Sequence, residues 1–106
     1  MFDALEMSLK VLERLAPIET RIRRKSASLA KQLATASESI ALNLGEGRAR
    51  RDGDQRRHYE MAAGSASEVT VALRIAVAKR YVTEAEAAEV DVDLDRVRAM
   101  LYRLTR

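Results

Sequence analysis

Arg48, Arg50, Arg51, Arg56 and Arg57 crowd one short stretch of the chain, and Arg23, Arg24 and Lys25 form a second knot of positive charge before it, next to Arg21. A guanidinium is a planar fork of donors that grips phosphate or carboxylate oxygens, so the chemistry on offer is anion recognition. No aromatic residue lies among the arginines, so a platform for stacking bases is not indicated. Contact with nucleic acid would run through backbone phosphates and shape. The competing reading is a solvated charged rim, which is common and contributes little energy.

Other residue patterns offer less. Gly45-Glu46-Gly47-Arg48 invites comparison with a phosphate loop, but the spacing differs from G-x-x-x-x-G-K-[ST] and no strand precedes it. The plainer reading is that both glycines stop a helix. Asn43, Glu46, Ser65 and Glu68 are polar residues beside apolar stripes. Such groups more often satisfy one another or cap a helix end than bind a ligand, because a buried polar group without a partner is costly. His58 is the single histidine and cysteine is absent, so no zinc set is expected. No Ser/His/Asp set has a recognisable spacing. The expectation is therefore no catalytic residue, no metal, no cofactor and no enzyme.

The elements that must position these residues read as helices. Phe2, Leu5, Leu9, Leu12 and Leu15 recur at helical spacing, and Pro17 is expected to end that helix. A second helix is expected from about Glu19 to Arg23 as far as Asn43, with the stripe Leu29, Leu33, Ala36, Ile40. Val69, Val71, Leu73, Ile75 and Val77 alternate as a strand would, yet no turn signal interrupts Gln55 to Lys79. A strand of that length would be abnormal, so a helix from Asp54 to Lys79 is preferred, started by Asp52 or Asp54 as cap. One face carries Tyr59, Ala62, Ala66, Val69, Leu73 and Ala76 or Val77. A second carries Met61, Ser65, Ala72, Ile75 and Val82, and a helix apolar on two sides is expected to be covered on both. The run from Ala62 to Ser67, which includes Gly64, is all small residues and lets a neighbouring helix come close. Thr83 and Glu86 fit a capping box with Val82 as staple, ahead of the stripe Val90, Leu94, Val97, Leu101 and Leu104. Four helices on short links predict an all-α, antiparallel up-and-down four-helix bundle, one domain over residues 1–106.

The composition agrees: one proline and four glycines in 106 residues, and a third of the residues charged. The net charge of +3 is unevenly spread, −2 over residues 1–20, +6 over 21–57 and −1 over 58–106. That asymmetry points to an anionic partner. The opening MFDALEMSLK does not read as a secretion signal, and no apolar stretch approaches the ~18 residues needed to span a membrane. The cytoplasm is the expected compartment.

The stretches QLATASESIALNLGEGRAR and RRHYEMAAGSASEV resemble a four-helix-bundle family encoded in the intervening sequences of bacterial 23S rRNA genes. That family shows Q-L-R-R-A-x-x-S-I-x-x-N-I-A-E-G-x-G-R and, later, an aromatic before I-A-x-G-S-x-x-E. Gln32, Leu33, Ala36, Ser39, Ile40, Asn43, Glu46, Gly47 and Arg48 or Arg50 match the first pattern. Tyr59, Ala62, Gly64, Ser65 and Glu68 match the second. Ala34 and Thr35 stand where the family often has two arginines, and Gly45 where it has alanine. The resemblance implies an antiparallel four-helix bundle, often a ring-like homopentamer. One related branch is the accessory variability protein of diversity-generating retroelements, which partners a reverse transcriptase and binds nucleic acid through a basic surface. The expectation is a homo-oligomer that contacts RNA or DNA through Arg23, Arg24, Lys25, Arg48, Arg50, Arg51, Arg56 and Arg57. The alternative is a scaffold for a protein partner such as a polymerase.

Overall fold

The computed structural model describes residues 3–106. Phe2, expected in the first stripe, lies outside them. Four helices follow in order: α1 Asp3–Lys25, α2 Ala27–Arg48, α3 Asp52–Ala78 and α4 Glu84–Thr105. Each packs against its chain neighbours and α4 closes onto α1, which makes an up-and-down four-helix bundle. The bundle measures 42 × 23 × 21 Å. Its centre is aliphatic: Leu15, Ile22, Leu33, Ile40, Leu44, Leu94 and Leu101 are fully buried.

The first helix does not end at Pro17, and the second does not begin before Ser26. A proline inside a helix costs about 3 kcal/mol, through a lost backbone bond and a clash with the preceding turn. Here the ring sits on an exposed face. Beyond it the chain buries Ile18 and Ile22, each worth about 1.5–3 kcal/mol. Burial therefore wins, and the inward stripe runs Ala4, Ser8, Val11, Leu15, Ile18, Ile22. A stripe carried through to Ile22 is rotated from the one read off the leucines, which leaves Leu9 40% exposed. The break falls at Ser26, whose extended backbone and side-chain oxygen, accepting the Leu29 N–H at 3.1 Å, cap α2 after a one-residue link.

Gly45 and Gly47 do not stop α2, which runs through both to Arg48, and neither has a positive φ. Gly47 answers to packing. A Cβ there would lie 2.6 Å from Cε1 of Tyr59 and 2.8 Å from its Cδ1, so the buried Tyr59 ring of α3 rests on the bare α2 backbone. Nothing within 4 Å explains the glycine at 45. The end of α2 is closed by Gln55, which donates from Nε2 to the carbonyls of Gly47 and Arg50, both at 3.1 Å.

The third segment is one 27-residue helix, as the absence of turn signals predicts. Its start differs from expectation: Arg51 occupies the cap position without a side-chain bond, and neither Asp52 nor Asp54 caps. Asp52 sits at φ 53 and makes the turn. The face Tyr59, Ala62, Ala66, Val69, Leu73, Ala76 is buried as predicted. Of the second face, Ser65 and Ala72 are buried, with Val82 of the following link. Its Met61 and Ile75 are 45% and 40% exposed, and Val71, outside the predicted face, is 54% exposed, so within this chain α3 leaves an apolar stripe uncovered. Contrary to the reading that no stretch approaches a membrane span, α3 is long and apolar enough to cross one by length and composition alone. Its apolar residues are partly spent in the bundle core.

The α3–α4 turn is a Schellman closure. The N–H of Arg80 bonds to Val77 O at 2.9 Å and that of Tyr81 to Ala76 O at 2.8 Å. Such a turn requires a left-handed residue, and Arg80 supplies it at φ 63, where a side chain costs about 1–2 kcal/mol relative to glycine. Thr83 and Glu86 then form the predicted capping box. Val82 is buried, as are Val90, Leu94, Val97 and Leu101, whereas Leu104 is 37% exposed.

Candidate nucleic-acid interface

The α2–α3 elbow is built on a polar seam. Ser65 of α3 donates to Ser39 Oγ of α2 at 2.9 Å, and Asn43 Nδ2 donates to Ser39 O at 2.9 Å and to Ser39 Oγ at 3.0 Å. A backbone carbonyl only accepts, so the Asn43 amide has its nitrogen on Ser39 and its Oδ1 toward α3. There Oδ1 meets His58 Nδ1 at 3.1 Å. Oδ1 cannot donate, so His58 carries its proton on Nδ1 and leaves Nε2 as an acceptor. Arg57 supplies the donor to Nε2, from Nη2 at 3.3 Å. Asn43 and Ser65 thus satisfy one another through Ser39, in line with the structural role the sequence favours. No buried side-chain nitrogen or oxygen among the described residues lacks a partner. Glu68 is exposed instead, beside a groove with Gln32, Val71 and Ile75, and Gly64 faces open space.

The seam continues outward into the arginine cluster. Arg57 bonds to Asp54 at 2.8 Å, and Arg50 lies between Glu46 at 3.3 Å and Asp54 at 3.8 Å. The Arg57 hydrogen bond, aided by the charges of Arg57 and Arg50, holds the Asp54 carboxyl below its ordinary range. Arg56 faces Glu60 at 3.9 Å. Arg48 is exposed and near enough to Tyr59 to favour its phenolate, but burial dominates and raises the Tyr59 hydroxyl pKa. Arg51 is exposed and makes no ion pair among the described residues. Exposed pairs contribute only ~0–1 kcal/mol each, so they do not bar a phosphate. They do cancel much of the positive field at this elbow.

The other predicted cluster lies at the far end of α2, about 33 Å away for 22 residues at ~1.5 Å each. Arg23, Arg24 and Lys25 close α1, where cations suit the negative end of the helix dipole. All three are exposed and, among the described residues, make no ion pair within 4.0 Å. Their neighbour Arg21 is used internally, on Glu86 of α4. That contact and the Thr83 N–H, the larger influence, hold Glu86 below its ordinary range. Glu19 is pushed up by burial and by Glu38, against Arg23.

Sequence reasoning missed several structural polar groups. Ser39 has a signal in its spacing of four from Asn43. Arg98, which bonds Thr70 at 2.7 Å and Asp91 at 3.0 Å, has one in its i,i+3 spacing from Asp95, whereas Gln55 and the buried Asp93 held by Arg14 have none that is local. Among the described residues, no three His, Cys, Asp or Glu side chains gather as metal ligands would.

The family model described as 23S rRNA-intervening sequence protein matches residues 2–103. The chain belongs to that family. A crystal structure from the S23 ribosomal protein family of Bacteroides thetaiotaomicron, of a protein of unknown function, superposes with a TM-score of 0.90 at 18% identity. The alignment covers 97% of this chain and 98% of that one. At such identity the likeness speaks for the fold. No curated protein matches the sequence. Asn43, Gly47, Tyr59 and Ser65 lie in the two stretches whose resemblance to that family the sequence suggests, and here they join α2 to α3.

Proposed function

We propose that this protein is a non-enzymatic, oligomeric helical bundle that holds RNA or DNA by its backbone phosphates, in the cytoplasm. The observation that carries the reading is the exposed group Arg23, Arg24 and Lys25, whose charges are not neutralised by ion pairs among the described residues. Arg51 adds to it at the opposite elbow. A homo-oligomer, a ring of five by the family resemblance, would repeat each cluster and turn weak contacts into avidity. Support for self-association comes from α3, where Arg57, Met61, Gly64, Glu68, Val71, Ile75 and Ala78 follow one another at alternating spacings of four and three. That is the rhythm of a helix–helix seam, and its large apolar members Met61, Val71 and Ile75 are exposed.

Binding should weaken steeply with salt, at a log–log slope of roughly −0.9 per phosphate neutralised on duplex DNA. A flat response, or no binding at low salt, overturns the reading. Replacing Arg48, Arg50 and Arg51 with alanine should lower affinity for all sequences alike. The second reading, a scaffold for a protein such as a polymerase, is favoured by the same exposed α3 stripe. A partner that survives nuclease treatment in a pull-down, and is lost with Val71→Asp, would favour the scaffold.

A further inference from the structure

We propose that the principal phosphate-binding surface is the end of the bundle where α1 stops and α3 turns into α4, with Lys79 and Arg80 completing the cluster begun by Arg23, Arg24 and Lys25. This rests on the nucleic-acid reading and names which end of the molecule performs it.

Three observations converge on this end. The first is proximity. The Arg21–Glu86 ion pair ties the last turns of α1 to the first turn of α4. A groove of about 440 Å³ beside it is lined by Arg21, Arg80, Tyr81, Thr83, Glu84 and Glu86, among others. Residues far apart in sequence thus share one rim. The second is the backbone of Arg80. The turn asks for a left-handed residue, a place where glycine is free and an arginine is strained. Strain of this kind, held where a cheaper residue would serve, points toward function. Arg80 is exposed and makes no ion pair among the described residues, so no such contact within the chain offsets it.

The third is the charge balance. Lys79, Arg80, Arg23, Arg24 and Lys25 are all exposed and outside any ion pair among the described residues. Of the nearby acids, Glu86 is occupied by Arg21 and Thr83, and Glu19 is raised by burial. Glu84 is the acid left on the groove rim. At the opposite elbow Arg50, Arg56 and Arg57 each face a carboxylate. Helix dipoles do not change the contrast, because each end of an antiparallel bundle gathers two N-termini and two C-termini, whose partial charges oppose. Side chains therefore set the sign, and they favour this end. Tyr81 is half-buried against the core, so the ligand chemistry is backbone phosphate and not a stacked base.

The test uses Arg80→Gly, which removes the cation and relieves the backbone at once. Labelled duplex DNA and single-stranded RNA are titrated with wild type, with R80G, and with the triple alanine variant of Arg48, Arg50 and Arg51, at roughly 50 to 200 mM salt. R80G should melt higher than wild type yet bind more weakly, and its slope on DNA should be shallower by about 0.9. The triple variant should lose less than R80G joined to Lys79→Ala. If R80G binds as tightly as wild type while the triple variant loses binding, the surface is the other elbow, and the nucleic-acid reading stands without this inference. If wild type binds neither nucleic acid at the lowest salt, both fall.

Discussion

Replacing Gly47 with alanine isolates what that residue does. The added Cβ would lie 2.6 Å from Tyr59 Cε1, 2.8 Å from Cδ1 and 3.2 Å from the His58 Cβ. Tyr59 is buried and cannot swing aside freely, so the ring or the α2–α3 spacing must shift. Overpacking of this kind costs about 1–3 kcal/mol, and so close a contact with a ring belongs in the upper half of that range. Alanine in place of glycine inside a helix returns about 0.5–1 kcal/mol. The net loss is then about 1–2.5 kcal/mol, which at ~4–8 °C per kcal/mol lowers Tm by roughly 4–20 °C. Thermal and urea melts followed by helical circular dichroism, at one fixed protein concentration, read this directly. Gly45→Ala is the control: with nothing within 4 Å it should gain about 0.5–1 kcal/mol. Tyr59→Ala is the second: in that background most of the Gly47 penalty should vanish, leaving the helix gain less the His58 Cβ contact. If G47A is as stable as G45A, the ring is not why glycine stands at 47, and the account of the elbow is wrong.

Pro17→Ala should stabilise the protein by about 2 kcal/mol in a thermal melt, the ~3 kcal/mol helix penalty less up to ~1 kcal/mol gained by a freer unfolded chain; no gain would contradict the penalty assigned to the ring. Glu86, lowered from 4.5 by Thr83 and Arg21, contributes stability that is present above that value and lost as pH falls through its folded pKa. Glu86→Gln should therefore flatten the acid side of the stability profile below pH 4.5, and an unchanged acid limb would contradict the assignment. Glu19, raised from 4.5 mainly by burial and then by Glu38, has the opposite sign. Its contribution is present below that value and lost as pH rises through the folded pKa, so Glu19→Gln should gain on wild type above pH 4.5, and equal profiles would refute it. Nitrogen-15 spectra should show His58 with its proton on Nδ1, and Asn43→Ala should abolish that preference and cost about 1–3 kcal/mol; a dominant Nε2 proton would break the seam as described.

The sequence is most legible where local rules act alone. The capping box at Thr83 and Glu86 and the stripe from Val90 to Leu101 depend on residues close in the chain, and α4 forms as read. It is least legible where a tertiary contact overrides a local rule. Pro17 breaks helices by rule, yet Ile18 and Ile22 carry α1 past it because the other helices bury them. Gly47 ends helices by rule, yet it serves a tyrosine that arrives from the next helix. The site follows the same division. That Asn43 and Ser65 would be satisfied is visible from their types, but Ser39 and His58 as their partners require the α2–α3 register. Both arginine clusters are visible as composition. Which arginines face a carboxylate depends on the geometry of the turns, and Lys79 and Arg80 join the second cluster only once Arg21 and Arg80 are seen to line one groove.

Amide chemical-shift mapping of the labelled protein, with duplex DNA or single-stranded RNA added at low salt, tests the central claim most directly. The account predicts that Arg23 to Lys25 and Lys79 to Tyr81 move together, and that the shifts collapse as salt is raised. Shifts confined to the α3 stripe of Met61, Val71 and Ile75, or none anywhere at low salt, would contradict it.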